Sequence, residues 1–132
     1  MNSIPCLLLI DDDEIATFIN TSLLKKMKVC DEVKSANNGK EGLAILQEIH
    51  KGNSQCPQLI FLDINMPVMD GFEFIQAFKL LNIPNKEQIR IVVLTSSENP
   101  EDKNKMEQLG IRYYITKPLV ADKLQNLLEE IA

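Results

Sequence analysis

Short apolar runs alternate with stretches of helical period along the chain. Three continuous apolar runs, at residues 7–10, 59–62 and 91–94, have the length of strands that are covered on both faces of a parallel sheet. Two weaker runs, at residues 33–36 and 113–116, complete a predicted set of five strands.

Apolar residues at helical spacing predict helices between these strands. Their faces comprise Ile15, Phe18, Ile19 and Leu23; Leu46 and Ile49; Ile75, Phe78 and Leu81; and Leu124, Leu127, Leu128 and Ile131. Asn38, with Glu41 three residues later, indicates the N-terminal cap of the second helix. Residues 100–109 form a fifth predicted helix, which begins after Asn99 and ends before Gly110. Its apolar face is thin, so we expect it to be mobile.

Five strands that alternate with five helices predict a doubly wound α/β fold with right-handed crossovers. At 132 residues the chain is one domain in size, and no linker or repeat divides it. In such folds the functional crevice lies beyond the carboxyl ends of the strands. The polar residues expected there are Asp11, Asp12, Asp63, Thr95 and Lys117.

Composition excludes several classes of partner. The net charge of −5 argues against a nucleic-acid surface, which needs clustered Lys and Arg. The apolar stretch within residues 1–10 is too short to span a bilayer and runs into acidic residues, so we expect a cytoplasmic protein without a membrane segment.

Cys6, Cys30 and Cys56 are far apart, which favours reduced thiols over a disulfide framework or a zinc site.

The expected cluster of acids limits the chemistry of the crevice. Two carboxylates about 5 Å apart repel by roughly 3 kcal/mol at an effective dielectric constant of about 20. A cation is therefore needed, and oxygen ligands favour Mg²⁺ over softer metals. Lys117 supplies a second cation, and Thr95 supplies a hydroxyl. Such a site is suited to receiving a phosphoryl group.

Four segments together resemble the receiver domain of two-component response regulators. They are LLLIDDDEI, LIFLDINMPVMDG, VVLTSS and YYITKP, in this order, and the resemblance covers nearly the whole chain. It implies a flavodoxin-like parallel sheet with the strand order 2-1-3-4-5. It also implies a stand-alone receiver, similar to chemotaxis regulators, that occupies residues 1–132 without an output domain.

The resemblance assigns roles to the acidic residues. It implies that Asp63 is the phosphoacceptor and that Asp11 and Asp12 hold Mg²⁺ together with Asp63. Asp12 would be a direct ligand, whereas Asp11 would act largely through water. Asn65 would add its backbone carbonyl to the metal.

The resemblance also assigns the remaining site residues. Thr95 and Lys117 would contact the phosphoryl oxygens, and the Lys117–Pro118 peptide would be cis. Tyr114 matches the switch aromatic, and Thr95 would take part in the switch. Leu119 departs from the family, where an aromatic residue is frequent. Ser96 stands where alanine is usual.

The implied function is a phosphorylation-activated signalling switch. The phosphodonor would be a sensor histidine kinase or a histidine phosphotransfer protein, and phosphorylation would change binding to a downstream protein. The chain would be a monomer or a phosphorylation-dependent dimer. It would not be an enzyme beyond catalysing its own phosphorylation and dephosphorylation.

The sequence argues against three other interpretations and leaves a fourth as the alternative. A calcium loop that starts at Asp63 would need glycine at its sixth position and an acid at its twelfth, which is Phe74. A haloacid-type phosphatase would need an acid at position 65. A flavin protein would need a phosphate-binding loop in place of the three acids after the first strand. A docking module that works without phosphate remains the alternative function.

Overall fold

The computed structural model describes residues 4–51 and 57–131. The strands are β1 (Ile4–Ile10), β2 (Cys30–Ala36), β3 (Leu59–Leu62), β4 (Arg90–Thr95) and β5 (Tyr113–Thr116). The helices are α1 (Glu14–Lys26), α2 (Gly39–Lys51), α3 (Gly71–Leu80), α4 (Pro100–Gln108) and α5 (Ala121–Ile131), and a 3₁₀ turn covers Lys86–Gln88. All paired strands are parallel, in the order β2-β1-β3-β4-β5. The predicted fold and strand order are confirmed.

Successive residues of each strand contribute to opposite cores, because side chains alternate between the two faces of a sheet. On one face, α1 and α5 cover the sheet through a core that includes Leu7, Leu9, Leu24, Phe61 and Leu124. On the other face, α2, α3 and α4 cover it through a core that includes Leu8, Leu46, Ile60, Phe74 and Met106. The inner strands are buried on both sides, as their continuous apolar runs predict.

The edge strand β2 is longer than its predicted span of residues 33–36. It begins at Cys30 and pairs with β1 from Ile4 onward. Asp31 and Glu32 are exposed within it, so the strand contains no continuous apolar run. Hydrophobic periodicity therefore missed the first half of this strand.

Most of the apolar face predicted for α1 is exposed, although Leu23 at its end packs against the core. Ile15 is 73% exposed, Phe18 is 73% exposed and Ile19 is 55% exposed. The buried residues of this helix are Asn20 and Leu24. The predicted helix is present, but a helical period shows only which residues share a face and not which face is turned towards the sheet.

The predicted ends of α2 and α4 are confirmed. Asn38 Oδ1 accepts a hydrogen bond of 2.9 Å from the Glu41 N–H at the start of α2. Asn99 Oδ1 accepts one of 3.0 Å from the Glu101 N–H at the start of α4. Met106 is the buried residue of α4, which confirms its thin apolar face.

The cysteines only partly follow the prediction of reduced thiols. Cys30 is buried and free, and burial raises its pKa. Cys6 is disulfide-bonded, so the prediction is wrong for Cys6. Cys56 lies outside the described residues. Spacing along the sequence does not report which sulfur atoms approach each other in space, and the prediction rested on spacing alone.

No helix within the described residues has both the length and the apolar character needed to cross a bilayer.

Candidate functional site

Three carboxylates converge at the carboxyl edge of the sheet. Asp11 and Asp12 follow the end of β1, and Asp63 follows the end of the neighbouring strand β3. Each offers an oxygen atom within 4.8 Å of the other two. Asp11 and Asp63 are buried, whereas Asp12 is exposed at the rim. The donors are all oxygen atoms, so the cluster could hold a hard metal ion.

Lys117 enters this cluster from the end of β5. Its Nζ lies 2.7 Å from Asp11 Oδ2 and 3.6 Å from Asp63 Oδ2. The Lys117 N–H donates to the Thr95 carbonyl at 2.7 Å, which ties the ends of β4 and β5 together. The Lys117–Pro118 peptide is cis, as the resemblance implied. Lys117 thus supplies part of the positive charge that the buried acids require.

Burial and charge shift the titration of two groups in the cluster. The pKa of Asp63 is raised to about 6. Burial is the largest cause and the Asp11 and Asp12 charges add to it, whereas Lys117 and the Ile64 N–H oppose the rise. Burial lowers the pKa of Lys117, but its hydrogen bond to Asp11 and the Asp63 charge outweigh burial, and this pKa is raised. The cluster therefore keeps its lysine charged and disfavours the ionised form of Asp63.

Backbone contacts fix the position of Asp63. Its Oδ1 accepts a 2.9 Å hydrogen bond from the Ile64 N–H. The Gly71 N–H donates to the Ile64 carbonyl at 2.8 Å. A Cβ atom added at Gly71 would lie 2.7 Å from the Asp63 carbonyl oxygen, so only glycine permits this approach. Asp70 and Glu73 then close a reciprocal capping box that starts α3.

The second acidic pair after β1 has a structural role. Asp13 Oδ1 accepts hydrogen bonds from the Ile15 and Ala16 N–H groups and caps α1. The Asp13 N–H donates to Asp11 Oδ1 at 2.9 Å. Glu14 lies in the first turn of α1, where its charge suits the helix dipole. Asp11 and Asp12 thus belong to the acid cluster, whereas Asp13 and Glu14 stabilise the start of α1.

A hydrogen-bonded chain connects Thr95 with Tyr114. Thr95 Oγ1 accepts from the Ser97 N–H at 3.1 Å, and Ser97 Oγ donates to Asp102 Oδ2 at 2.7 Å. The Tyr114 hydroxyl donates to the Ser97 carbonyl at 3.2 Å. Burial and then the Asp102 charge raise the pKa of Tyr114. No motif or spacing in the sequence predicted the central place of Ser97 in this chain of contacts.

Among the predicted site residues, Asn65 has a side chain that takes no part in the hydrogen bonds of the site. It lies two residues after Asp63, and its side chain is exposed. It makes no side-chain hydrogen bond within residues 4–51 and 57–131. Its predicted contribution is a backbone carbonyl, which does not depend on the side chain.

Comparison with solved structures gives close matches over the whole fold. The crystal structure of a two-component response regulator from Cytophaga hutchinsonii has a TM-score of 0.87 and 35% sequence identity, and covers 98% of both chains. The chemotaxis protein CheY4 of Vibrio cholerae has a TM-score of 0.78 and 27% identity, over 98% of this chain and 100% of that one.

Curated proteins and a family description give the same result. Response regulator Rcp1 of Synechocystis is 32% identical over 112 residues, which are 84% of this chain and 75% of Rcp1. The probable C4-dicarboxylate response regulator DctR of Bacillus subtilis is 28% identical, and the chain spans 50% of its length. The family described as response regulator receiver domain matches residues 7–129. The chain therefore belongs to the response regulator receiver domain family.

Proposed function

We propose that this chain is a phosphorylation-activated signalling switch whose Asp63 accepts a phosphoryl group from a histidine of a kinase or phosphotransfer protein. Receiver domains serve phosphorylation-dependent signalling in two-component systems. The observation that carries the assignment to Asp63 is its placement: a buried carboxylate, 7% exposed, whose Oδ2 faces the Lys117 ammonium. A carboxylate in this setting can act as a nucleophile towards phosphorus.

The hydrogen bonds of the three acids favour Asp63 over its neighbours. Both oxygens of Asp11 are engaged, by the Asp13 N–H and by Lys117. Asp12 is exposed at the rim. Among the residues that the structure describes, Asp63 Oδ2 has only the longer contact of 3.6 Å with Lys117. Among the buried acids, it is the oxygen most available for attack.

Mg²⁺ fits this site because the donors are all oxygen atoms. Receiver domains typically bind Mg²⁺ at an acidic pocket. Here Asp11, Asp12, Asp63 and the backbone carbonyl of Asn65 would hold the ion. When bound, it offsets the negative charge of the acids and of the phosphoryl oxygens.

The transfer proceeds by in-line attack. An Asp63 oxygen forms a bond to phosphorus while the phosphorus–nitrogen bond to the donor's imidazole breaks, and its electron pair returns to the ring nitrogen. Lys117 Nζ and Thr95 Oγ1 stabilise charge on the phosphoryl oxygens. Water later attacks phosphorus, which releases inorganic phosphate and regenerates the Asp63 carboxylate.

The chain of contacts from Thr95 to Tyr114 supports a route for the switch. If Thr95 turns towards the phosphoryl group, its hydrogen bond with the Ser97 N–H changes. The Ser97 carbonyl holds the Tyr114 hydroxyl, so the position of Tyr114 responds to the same movement. We propose that phosphorylation shifts the population between two packings of this loop and so alters the surface formed by α4, β5 and α5.

The phosphodonor would dock on exposed apolar side chains that lie close in the sequence to the acids of the cluster. Ile15, Phe18 and Ile19 project from α1, which begins three residues after Asp11. Val68 is exposed on the loop that follows Asp63. Exposed apolar side chains next to a reactive group are typical of a protein interaction site.

The mass of the intact protein tests the proposal. Incubation with Mg²⁺ and acetyl phosphate should add one phosphoryl group to the wild type and to the exposed control Asp122→Asn. The variant Asp63→Asn should remain unmodified. An unmodified wild type, with either acetyl phosphate or a phosphorylated phosphotransfer protein, would favour the docking module that works without phosphate.

A further inference from the structure

A basic groove lies at the opposite edge of the sheet from the acid cluster. It has a volume of about 410 Å³ and opens where β4 and β5 begin and where α3 and α4 end. We call it the basal groove. One acidic residue, Glu87, lines it. Four basic residues also line it: Lys79, Lys86, Arg90 and Arg112.

The charge of the groove contrasts with that of the chain. The protein carries a net charge of −5, with 19 acidic and 14 basic side chains. Arg90 and Arg112 are its two arginines, and both line the groove. Neither guanidinium forms an ion pair or a hydrogen bond with another described residue. Two arginines without acidic partners in one groove indicate a surface suited to an anion.

The strand register brings the two arginines to neighbouring positions. Val92 of β4 pairs with Tyr113 of β5. Arg90 begins β4, and Arg112 directly precedes β5. In this register Arg112 stands beside Ile91, and Arg90 is one residue nearer the start of β4. The two arginines are therefore diagonal neighbours on strands about 4.8 Å apart, at the end of the sheet where the groove lies.

Lys86 offsets the partial negative charge at the C-terminus of α3, which lies beside the groove. Helix C-termini carry partial negative charge, which opposes anion binding, and α3 ends beside the groove. Lys86 Nζ donates to the carbonyls of Lys79 and Leu81, the latter at 2.9 Å. The exposed carbonyls at the end of α3 are thus neutralised, and Arg90 and Arg112 remain available.

The rest of the wall is apolar and partly aromatic. It includes Ile75, Phe78, Ile89, Ile111 and Tyr113. A volume of this size lies within the range of small-molecule sites. An apolar wall next to unpaired guanidinium groups matches a ligand that has a flat apolar body and one charged end.

We propose that the basal groove binds a compact ring-containing anion, whose phosphate or carboxylate group is held by Arg90 and Arg112. The ring would lie against the apolar wall. This site is separate from Asp63, and the proposal does not depend on phosphorylation of the chain.

Titration followed by ¹H–¹⁵N NMR in metal-free buffer tests this proposal. The probes are AMP for the phosphate, indole-3-acetate for the carboxylate, and adenosine and indole as their uncharged counterparts. We expect AMP, indole-3-acetate or both to shift the Gly110 and Tyr113 amides. The probe that binds identifies the anionic group. The uncharged probes should bind roughly tenfold more weakly.

Variants of the two arginines give the decisive comparison. Arg90→Gln and Arg112→Gln should each weaken binding of the anionic probe by roughly tenfold. Lys40→Gln makes the same change in net charge on an exposed turn of α2, away from the groove, and should leave binding within about twofold. The NMR spectrum of each variant reports whether it is folded.

Three results would overturn the proposal. The first is an absence of shifts at the groove with both anionic probes at concentrations up to about 5 mM. The second is equal binding of the uncharged probes. The third is unchanged affinity in a folded Arg90→Gln, Arg112→Gln double variant.

Discussion

The loops after β3 and after β4 border the same acid cluster but are held in different ways. Backbone contacts hold the loop at residues 63–71, since Gly71 lies against the Asp63 carbonyl. Side-chain hydrogen bonds of Ser97 hold the loop at residues 95–100. The first loop leads into α3, which buries Phe74, Ile75 and Phe78, whereas the second leads into α4, which buries Met106.

This difference indicates that the two loops have different roles within one site. Close backbone packing leaves few alternative positions, so the loop at residues 63–71 keeps Asp63 in place. Exchangeable side-chain hydrogen bonds and a thinly buried helix cost little to rearrange. We infer that the nucleophile is fixed and that the response to phosphorylation takes place on the side of residues 95–100.

Replacing two glycines should show the difference in packing most strongly. Gly71→Ala places a methyl group 2.7 Å from the Asp63 carbonyl oxygen and 2.9 Å from Ile64 Cα. Because both neighbours are backbone atoms, we expect a loss of about 2–4 kcal/mol in the free energy of unfolding. Urea denaturation measures this loss.

Gly110→Ala is the matched control at the end of α4. Gly110 has a φ of 90°, and nothing lies within 4 Å of an added Cβ. We expect only the conformational cost of a left-handed alanine, about 1 kcal/mol. Equal losses for the two variants would contradict a tightly packed loop at residues 63–71.

Removing the Asp63 charge should stabilise the metal-free protein. The fold raises the pKa of this carboxyl to about 6, so ionisation at neutral pH costs stability. We expect Asp63→Asn to raise the free energy of unfolding by about 1–3 kcal/mol at neutral pH in EDTA. Denaturation of both proteins across a pH series measures the difference.

The pH dependence of this gain has a defined sign. Between about pH 4 and pH 6 the native state binds more protons at Asp63 than the unfolded state, so the wild type gains stability as the pH falls through this window. The advantage of Asp63→Asn should therefore shrink on acidification. An advantage that is independent of pH would show that ionisation of Asp63 is not its cause.

The smallest predicted effects concern the adjustable side of the site. Ser97→Ala removes the hydrogen bonds to Asp102 and from the Asn99 N–H. We expect the free energy of unfolding to fall by about 0.5–1 kcal/mol, which urea denaturation measures.

Tyrosine fluorescence can follow the switch. The chain has two tyrosines and no tryptophan, so this fluorescence reports on Tyr113 and Tyr114. We expect phosphorylation to change this fluorescence in the wild type and in Tyr113→Phe, but not in Tyr114→Phe. An unchanged response in Tyr114→Phe would remove Tyr114 from the switch.

The sequence predicted the elements that have a strong apolar signal. The bounds of β3 agree with the prediction because an apolar run with polar ends defines this strand. The weaker run at residues 113–116 also predicted the bounds of β5. The first half of β2 was missed because its outward residues are charged. Helix α1 was predicted, but its orientation was not, because periodicity cannot distinguish a face turned to the sheet from a face exposed to solvent or to a partner.

The candidate site was predictable where topology alone decides it. Parallel strands end at one edge, so Asp11, Asp63 and Lys117 had to approach each other. The role of Ser97 depends on the local path of one loop, which no spacing rule describes. The basal groove joins residues from four elements, and only the folded chain shows that Arg90 and Arg112 share it.

Chemical mapping of the acceptor residue tests the central claim most directly. Borohydride reduces an aspartyl phosphate to homoserine, which mass spectrometry of peptides can locate. After treatment with Mg²⁺ and acetyl phosphate, we expect homoserine at position 63 and at no other acid, and none when EDTA replaces Mg²⁺. Homoserine at position 11 or 12, or none at position 63 in a protein that carries phosphate, would contradict the proposed role of Asp63.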